Sequence, residues 1–285
     1  MCIGIKKEEN SKQPVIAVLM TVHNRKNCTL GCLQQLFLNN TGNYKIDVYL
    51  VDDGCTDGTP EAVSNTYPNV KIIKGDGTLY WNRGMLLAWQ EALKDAPDFY
   101  LWLNDDTFLF KNAIQILLDA CEMSGTKDVI ICGSTHAAND DNYVTYGGRR
   151  NKKLLVPNGR LQEADWLNGN CVLIPSKVVE QVGMLDPFFR HSQGDWEYGI
   201  RAKKKGIKLL VAHKYIGTCE SNKILPKCYD SSVPFKERWG FLSHPLGPNP
   251  KETLYYCRKC LPYGTLRACF YIVQTYAKTI FPKLF

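Results

Sequence analysis

Phe99-Tyr100-Leu101-Trp102-Leu103-Asn104-Asp105-Asp106 decides the reading of this chain: an apolar run ending in two adjacent carboxylates. A short, continuous apolar run predicts a buried strand, and the acids then fall at its carboxyl end. An open α/β sheet keeps its ligand crevice at that end of its strands. Two neighbouring carboxylates repel each other unless a cation or donor groups offset the charge. Hard oxygen ligands suit Mg²⁺ or Mn²⁺, and Mg²⁺ takes one or two carboxylates plus substrate phosphates. Acids are also common at helix starts, so a solvated turn is the plain alternative.

A second acidic loop, placed the same way, weighs against that alternative. Val51-Asp52-Asp53-Gly54-Cys55-Thr56-Asp57-Gly58-Thr59-Pro60 follows the strand-like run 44–51. Thr59 is the expected N-cap, Pro60 suits the first helical position and Glu61 the first turn. Asp57 reads as an organiser of the loop. Strand, acid pair, glycine turn and capped helix together predict a nucleotide-side loop.

Working outward, residues 14–110 alternate strand-like and helix-like patterns. Strands are expected at 15–22, 46–51, 70–73 and 99–103, with helices at 28–38, 59–67, 83–94 and 111–121. Alternation of this kind argues for βαβ units and a largely parallel sheet. Further strands are expected at 128–132, 171–174 and 207–212, and helices at 177–182 and 196–205. Residues 143–156 read as a hairpin or loop. Prolines and glycines break the pattern over 222–252, which predicts a wrapping segment.

Composition sets the outer bounds. With 285 residues, 45% apolar and 22% charged, the chain suits one large α/β domain with an appendage. A net charge of +7 favours anionic partners such as nucleoside diphosphates or lipid headgroups. No arginine-rich run or aromatic-basic repeat points to nucleic acid. The 12 cysteines form no compact framework, and Cys132 and Cys171 sit in apolar runs where a thiol acts as a small hydrophobe. Cys257-Arg258-Lys259-Cys260 has zinc-like spacing but no second pair. The polar stretch Met1 to Lys12 lacks the apolar core of a signal peptide, and no run is long enough to span a membrane. The expected compartment is the cytoplasm, with a peripheral membrane contact open.

The ordered set of motifs resembles glycosyltransferase family 2. Val15 to Arg25, Val51 to Asp57 and Trp102 to Thr107 carry the resemblance, followed by Trp166-Leu167-Asn168-Gly169-Asn170 and Gly194-Asp195-Trp196-Glu197 through Arg201. It covers about residues 14 to 217. Trp81, 103–107 and 194–197 look most like the branch of bacterial rhamnosyltransferases. The implied fold is GT-A: an α/β, Rossmann-like, doubly wound, mostly parallel mixed sheet over 14–220. A C-terminal helical or irregular extension would occupy 221–285.

The resemblance also implies a chemistry: inverting, metal-dependent transfer of a hexosyl or deoxyhexosyl group from a nucleotide-sugar donor to a hydroxyl of a glycan or lipid-linked acceptor. The implied donor is UDP-, dTDP- or GDP-linked. Asp106 would bind Mn²⁺ or Mg²⁺ directly, and Asp105 would hold the ribose or a metal-bound water. Asn104 stands at the first position of the family's Asp-X-Asp element, which leaves the division of labour open. His213 matches a histidine that many relatives place near the metal, although a lone histidine at a strand end is more often structural. Asn24, Arg25, Asp52 and Asp53 would meet the nucleobase and ribose. An ionised carboxylate is acceptor-only, which suits that task.

In the loop 75–84 glycines such as Gly77 allow close backbone approach. Arg83 is a phosphate candidate, and Trp81 either packs on sugar or fills core. Asn168 and Gly169 match the segment relatives use for donor sugar and acceptor. Trp166 and Trp196 are stacking platforms or core. Asp195 matches the family's acidic base, with Gly194 in place of the usual preceding glutamate. An N-cap is its structural alternative. Glu197 points away from Asp195 on a helix, and its i+4 relation to Arg201 predicts a salt bridge.

Two other classes compete: a non-catalytic nucleotide-sugar or glycan-binding protein, and a nucleotidyltransferase. The latter would want a glycine-rich phosphate loop after the first strand, where this chain has Thr21 to Lys26. Finally, 253–285 contains no acid but carries Arg258, Lys259, Arg267, Lys278 and Lys283 among apolar residues near helical spacing. Basic, aromatic-rich helices of this kind lie in membrane interfaces; packing on the catalytic domain or on a second subunit is the alternative.

Overall fold

Strand β1, Val15–Val22, runs through the centre of the molecule, and its residues 16–20 are fully buried. Such β-branched and apolar runs, covered on both faces, are what a parallel α/β sheet demands. The computed structural model describes residues 13–221 and 225–284. The polar stretch 1–12 and the start of the expected wrapping segment, 222–224, lie outside the described residues.

After β1 come α1 (Lys26–Asn39), β2 (Lys45–Asp52), α2 (Thr59–Thr66), β3 (Lys71–Lys74), α3 (Tyr80–Leu93) and β4 (Phe99–Leu103). The middle of the chain holds β5 (Phe108–Leu109), α4 (Ala113–Met123), β6 (Val129–Ala137), β7 (Asp140–Tyr146), β8 (Gly148–Arg150) and β9 (Lys153–Leu154). It continues through β10 (Gln162–Glu163), β11 (Trp166–Leu167), β12 (Cys171–Pro175), α5 (Ser176–Val182), α6 (Gly194–Lys204) and β13 (Lys208–Thr218). A 3₁₀ turn (Lys227–Tyr229), α7 (Phe235–Phe241), α8 (Pro250–Cys260) and α9 (Gly264–Ile280) follow.

The main sheet has the order β10-β13-β6-β12-β4-β1-β2-β3. β3, β2, β1 and β4 are mutually parallel, and β13 is parallel to β6. β12 is antiparallel to both neighbours, β4 and β6. That reversal brings the start of β12 to the same edge as the ends of β1, β2 and β4. Asn104 N–H donates to Asn170 O across this junction, at 2.9 Å. Strand alternation sends Ile16, Val18 and Met20 into one core, with α1 and α4, and Ala17 and Leu19 into the other, with α3, α5 and α6. The sheet is therefore covered on both faces, as a doubly wound fold requires.

Several local expectations change. Gly58, in the left-handed region, precedes α2, and Thr59 lies inside the helix. The cap comes from Asp57, whose Oδ1 accepts from Thr59 N–H and Oγ1–H. Within 143–156, β8 and β9 form a hairpin around Asn151 and Lys152, both at positive φ, while 143–146 belongs to β7 and pairs with β6. β13 extends six residues beyond Ala212 through an irregularity between Val211 and Tyr215, then keeps pairing with β6 as far as Thr218. The wrapping segment is more regular than its prolines suggest, since α7 and the start of α8 lie within it. Asn249 caps α8, its side chain accepting from Lys251 and Glu252 N–H.

Candidate active site

A cavity of about 560 Å³ opens at the carboxyl edge of β1, β2 and β4. Arg25, Asp53, Gly77, Trp81, Asp105, Asp106, Asn168, Gly169 and Asp195 all line it. Nine of the residues singled out from sequence are thus brought together from six segments of the chain.

Asp105 and Asp106 occupy one wall. Asp105 is buried and Asp106 about one-third exposed. Arg25 bridges them, Nη1 3.1 Å from Asp105 Oδ1 and Nη2 2.9 Å from Asp106 Oδ2. Thr29 Oγ1 donates to the other oxygen of Asp105 at 3.3 Å. Burial pushes the Asp105 carboxyl up to about 6, against the pull of Arg25 and with the push of Asp106. Burial opposes charge on Arg25, but the two acids more than offset it and hold its pKa above the ordinary guanidinium value.

The donor-side loop is built by Asp53. Its carboxylate accepts from the N–H groups of Gly77 at 2.9 Å, Leu79 at 3.2 Å and Tyr80 at 2.8 Å. Gly54 and Gly77 meet backbone to backbone, each at positive φ, and a Cβ on Gly54 would lie 2.8 Å from the Gly77 Cα. Asp53 lines the cavity, yet its oxygens are committed to shaping the wall. Trp81 Nε1–H donates to Asn104 Oδ1 at 2.7 Å, and the indole meets Trp102 edge-on. This fixes the role of the asparagine in the Asn104-Asp105-Asp106 element: it anchors Trp81.

Asp195 stands in the first turn of α6 and lines the same cavity. The N–H of Gly169 donates to its Oδ2 at 2.9 Å, and that of Trp196 to its Oδ1 at 2.9 Å. Burial pushes its carboxyl up to about 6, against those two donors. The N-cap position belongs to Gln193, at positive φ. Gly169 has no room for a side chain: a Cβ would lie 2.5 Å from the Trp81 ring and 3.3 Å from Asp195 Cβ. Gly194 is equally enforced, since a Cβ there would meet Asn82 Oδ1 at 1.8 Å. Asn82 is in turn pinned by donating to Asp186 O and Phe189 O. The glutamate that the resemblance leads one to expect before Asp195 has no space in this chain.

Four expected residues are not brought to the cavity. Asn24 Oδ1 accepts from Thr56 N–H at 2.7 Å and Asp52 Oδ1 from Cys55 N–H at 2.8 Å, so both organise the loop below. Arg83 Nε–H donates to Pro187 O at 2.9 Å. His213 is absent from the lining, because β13 runs on past it and ends five residues later. The residue delivered beside Asp106 is Cys219, whose Sγ is 3.6 Å from Asp106 Oδ1. Burial and Asp106 push that thiol up to about 12, so it stays protonated and acts as a donor. Glu197 is wholly buried on the far side of α6, held by Arg201 at 2.8 Å and Lys259 at 3.0 Å.

Sequence reasoning did not anticipate His23, Tyr80, Tyr146, His191, Gln193 and Leu246, which also line the cavity. His23 lies inside the motif 15–25 and Tyr80 inside the loop 75–84, so both were within reach; Tyr146 ends β7, and His191, Gln193 and Leu246 sit in segments without a pattern. Trp196 lines the cavity, while Trp166 packs 4.9 Å from it, ring to ring, with Arg149 on its other side.

Among the described residues no three His, Cys, Asp or Glu side chains converge on one point. A closed protein cage for a metal is therefore not the pattern here. Two hard carboxylates at an open cavity do fit a divalent cation that takes its remaining ligands from phosphate and water.

A parallel β3-β2-β1-β4 sheet continued by an antiparallel strand, with acids at the shared edge, is the GT-A glycosyltransferase architecture. The chain belongs to glycosyl transferase family 2, whose pattern it matches over residues 17–179. Among curated proteins it is similar to the N-acetylglucosaminyl-diphospho-decaprenol L-rhamnosyltransferase of Mycobacterium tuberculosis, at 25% identity over 56% of this chain and 62% of the relative. The match thus spans less than two-thirds of that relative's length. In fold it is similar to S. aureus TarS bound to UDP, with a TM-score of 0.56, 13% identity, and 74% of this chain and 61% of that one covered. The mannosyltransferase PcManGT from Pyrobaculum calidifontis, in complex with GDP-Man and Mn²⁺, aligns with a TM-score of 0.55, 14% identity, and 94% and 76% coverage.

Proposed function

We propose that this protein is an inverting glycosyltransferase that moves a sugar from a nucleoside diphosphate to an acceptor hydroxyl. The observation that carries the reading is the meeting of Asp105, Asp106 and Asp195 in the lining of one cavity. The donor's diphosphate would lie toward Asp106 and its sugar against the wall that Trp81 and Gly169 form together. Asp195, with a carboxyl that titrates near 6, is mostly ionised at neutral pH and accepts the proton of the acceptor hydroxyl. That oxygen attacks the anomeric carbon as the bond to the diphosphate breaks, which inverts the anomeric centre. Asp106 would hold a divalent cation, Mn²⁺ or Mg²⁺, which would supply Lewis-acid stabilisation of the leaving diphosphate. His213 lies away from this group; Cys219, a neutral donor, steadies Asp106 instead.

The acceptor reading favours a lipid-linked glycan. The similar curated protein is named for a diphospho-decaprenol acceptor and an L-rhamnosyl donor, which also supports a deoxyhexose as the transferred sugar. UDP-, dTDP- and GDP-sugars are to be presented with Mn²⁺ and a lipid-diphosphate sugar, with free diphosphate and coupled product measured. Product with an inverted anomer is the expected result. Nucleotide-sugar binding without turnover would make the chain a binding protein, and release of pyrophosphate from a nucleoside triphosphate would make it a nucleotidyltransferase.

A further inference from the structure

Helix α9 packs one side against the body of the protein and turns an apolar side to solvent. Ala268 and Thr279 are buried, with Ile272 and Thr275 on the same face and partly covered. On the opposite face Leu266, Phe270, Val273 and Ile280 recur at three-, four- and seven-residue spacing, as one stripe. Their exposures are 72%, 65%, 66% and 41%. Phe281 and Leu284 continue the stripe beyond the helix, at 55% and 77%. An apolar row this long is not ordinary soluble surface.

The patch has an aromatic margin and a basic one. Trp239 of α7, half exposed, packs 5.2 Å from Tyr276, and Phe235 lies 5.7 Å from Trp239. Arg267 and Lys278, three turns apart, share the helix flank on the other side of the stripe. Lys283 follows, and the whole of 253–285 holds no acid. Lys259 does not belong to this set, because it is committed to Asp186 and Glu197.

We infer that the outward face of α9, with Trp239 and Phe235 beside it, is a surface that seats the protein in the interface of an anionic lipid bilayer. Charge decides the occupant: an apolar stripe with cations along one flank and aromatic rings along the other complements acyl chains beneath anionic headgroups. Tryptophan and tyrosine at the edge of the patch suit the headgroup level. A second copy of the chain would bring like charges together along the same flank. Among the described residues no helix is long and apolar enough to cross a membrane, so the contact lies in the plane of the surface.

The face is joined to the catalytic machinery. α9 packs on α8, and α8 packs on α6, which carries Asp195. Tyr256 of α8 meets Trp196 at 6.2 Å, and Arg190 is tied to Glu252 at 2.7 Å. Docking α9 on a bilayer would therefore hold the cavity at a fixed height above it. This deepens the proposed transfer to a lipid-linked acceptor and rests on that reading only for its purpose.

The test is co-sedimentation of the full chain with phosphatidylcholine vesicles, with and without phosphatidylglycerol. The full chain is expected to pellet with the anionic vesicles and to be released by salt. The variant F270E/V273E is expected to lose about tenfold or more in vesicle partition, with unchanged thermal unfolding because both side chains face solvent. Its release of diphosphate from a nucleotide sugar with a water-soluble acceptor should be unaffected, so a failed transferase reading and a failed membrane reading stay distinct. Failure of the full chain to pellet, or equal pelleting of the variant, overturns the proposal. So does concentration-dependent dimerisation that the variant abolishes without any vesicle binding.

Discussion

Arg25 Nη2 lies 2.9 Å from Asp106 Oδ2, and its other terminal nitrogen reaches Asp105. An arginine at the end of the first strand thus supplies the charge balance of an acid pair eighty residues away. In the proposed reaction Asp106 has to exchange this partner for a divalent cation. Arg25→Met is expected to raise the affinity for Mn²⁺ alone by about tenfold, or 1.4 kcal/mol. It should also lower metal-free thermal stability, with Mn²⁺ restoring it. Calorimetric titration and thermal unfolding check this; unchanged Mn²⁺ affinity would mean that the guanidinium does not compete for Asp106.

Asp106→Ala should abolish metal-dependent binding of a nucleoside diphosphate while leaving the fold in place. Asp106 is partly exposed at the cavity wall and supports little else. Calorimetry with UDP or dTDP and Mn²⁺ reads the outcome directly. Retained affinity would remove Asp106 from the donor site.

Asp195→Asn should keep donor binding and lower kcat by about 10² or more, the usual worth of a positioned base. In the wild type, kcat should fall as pH drops below about 6. The sign follows from the chemistry: burial raises the pKa, protonation removes the base, and activity is present above that pH. An acid limb near the ordinary carboxylate range instead would show that Asp195 is not desolvated during turnover.

Gly169→Ala tests the close fit of Gly169 against Trp81 and Asp195. The added methyl would press on Trp81, which is backed by Trp102 and hydrogen-bonded to Asn104, so it cannot yield freely. A loss of about 1–3 kcal/mol in stability is expected, as for other overpacked sites. Turnover should fall with it, because the same change pushes on Asp195. Combining it with W81F should recover part of the stability, and no recovery would place the strain elsewhere.

Glu197→Ala should destabilise the fold by about 3–5 kcal/mol, the cost of stranding buried cations. Glu197 is wholly buried between Arg201 and Lys259. Chemical denaturation measures this. A stable variant that has lost only turnover would overturn its structural role and make it a rival for the base.

Much of this was legible in the sequence. The runs 15–22 and 99–103 announce buried strands because burial on both faces leaves a continuous apolar signature, and that signature is local. Acids after two such strands mark the carboxyl edge for the same reason. Gly169 and Asp195 were identifiable as neighbours of a reacting centre only through the family resemblance, since neither has a local pattern.

What the tertiary structure decided was which polar groups remain available. Asp52, Asp53 and Asn24 look equivalent in sequence to Asp105 and Asp106, but their oxygens are taken by backbone N–H groups of loops that only the fold brings near. His213 does not line the cavity, and the irregularity that carries β13 past it to Thr218 is fixed by pairing with β6, which lies some eighty residues earlier in the chain. The outward apolar side of α9 was equally hidden, because hydrophobic spacing reveals that a helix has a face and not what that face meets. Sequence patterns report the energy of a segment against water; partner choice is set by contacts between segments, and those exist only once the chain has folded.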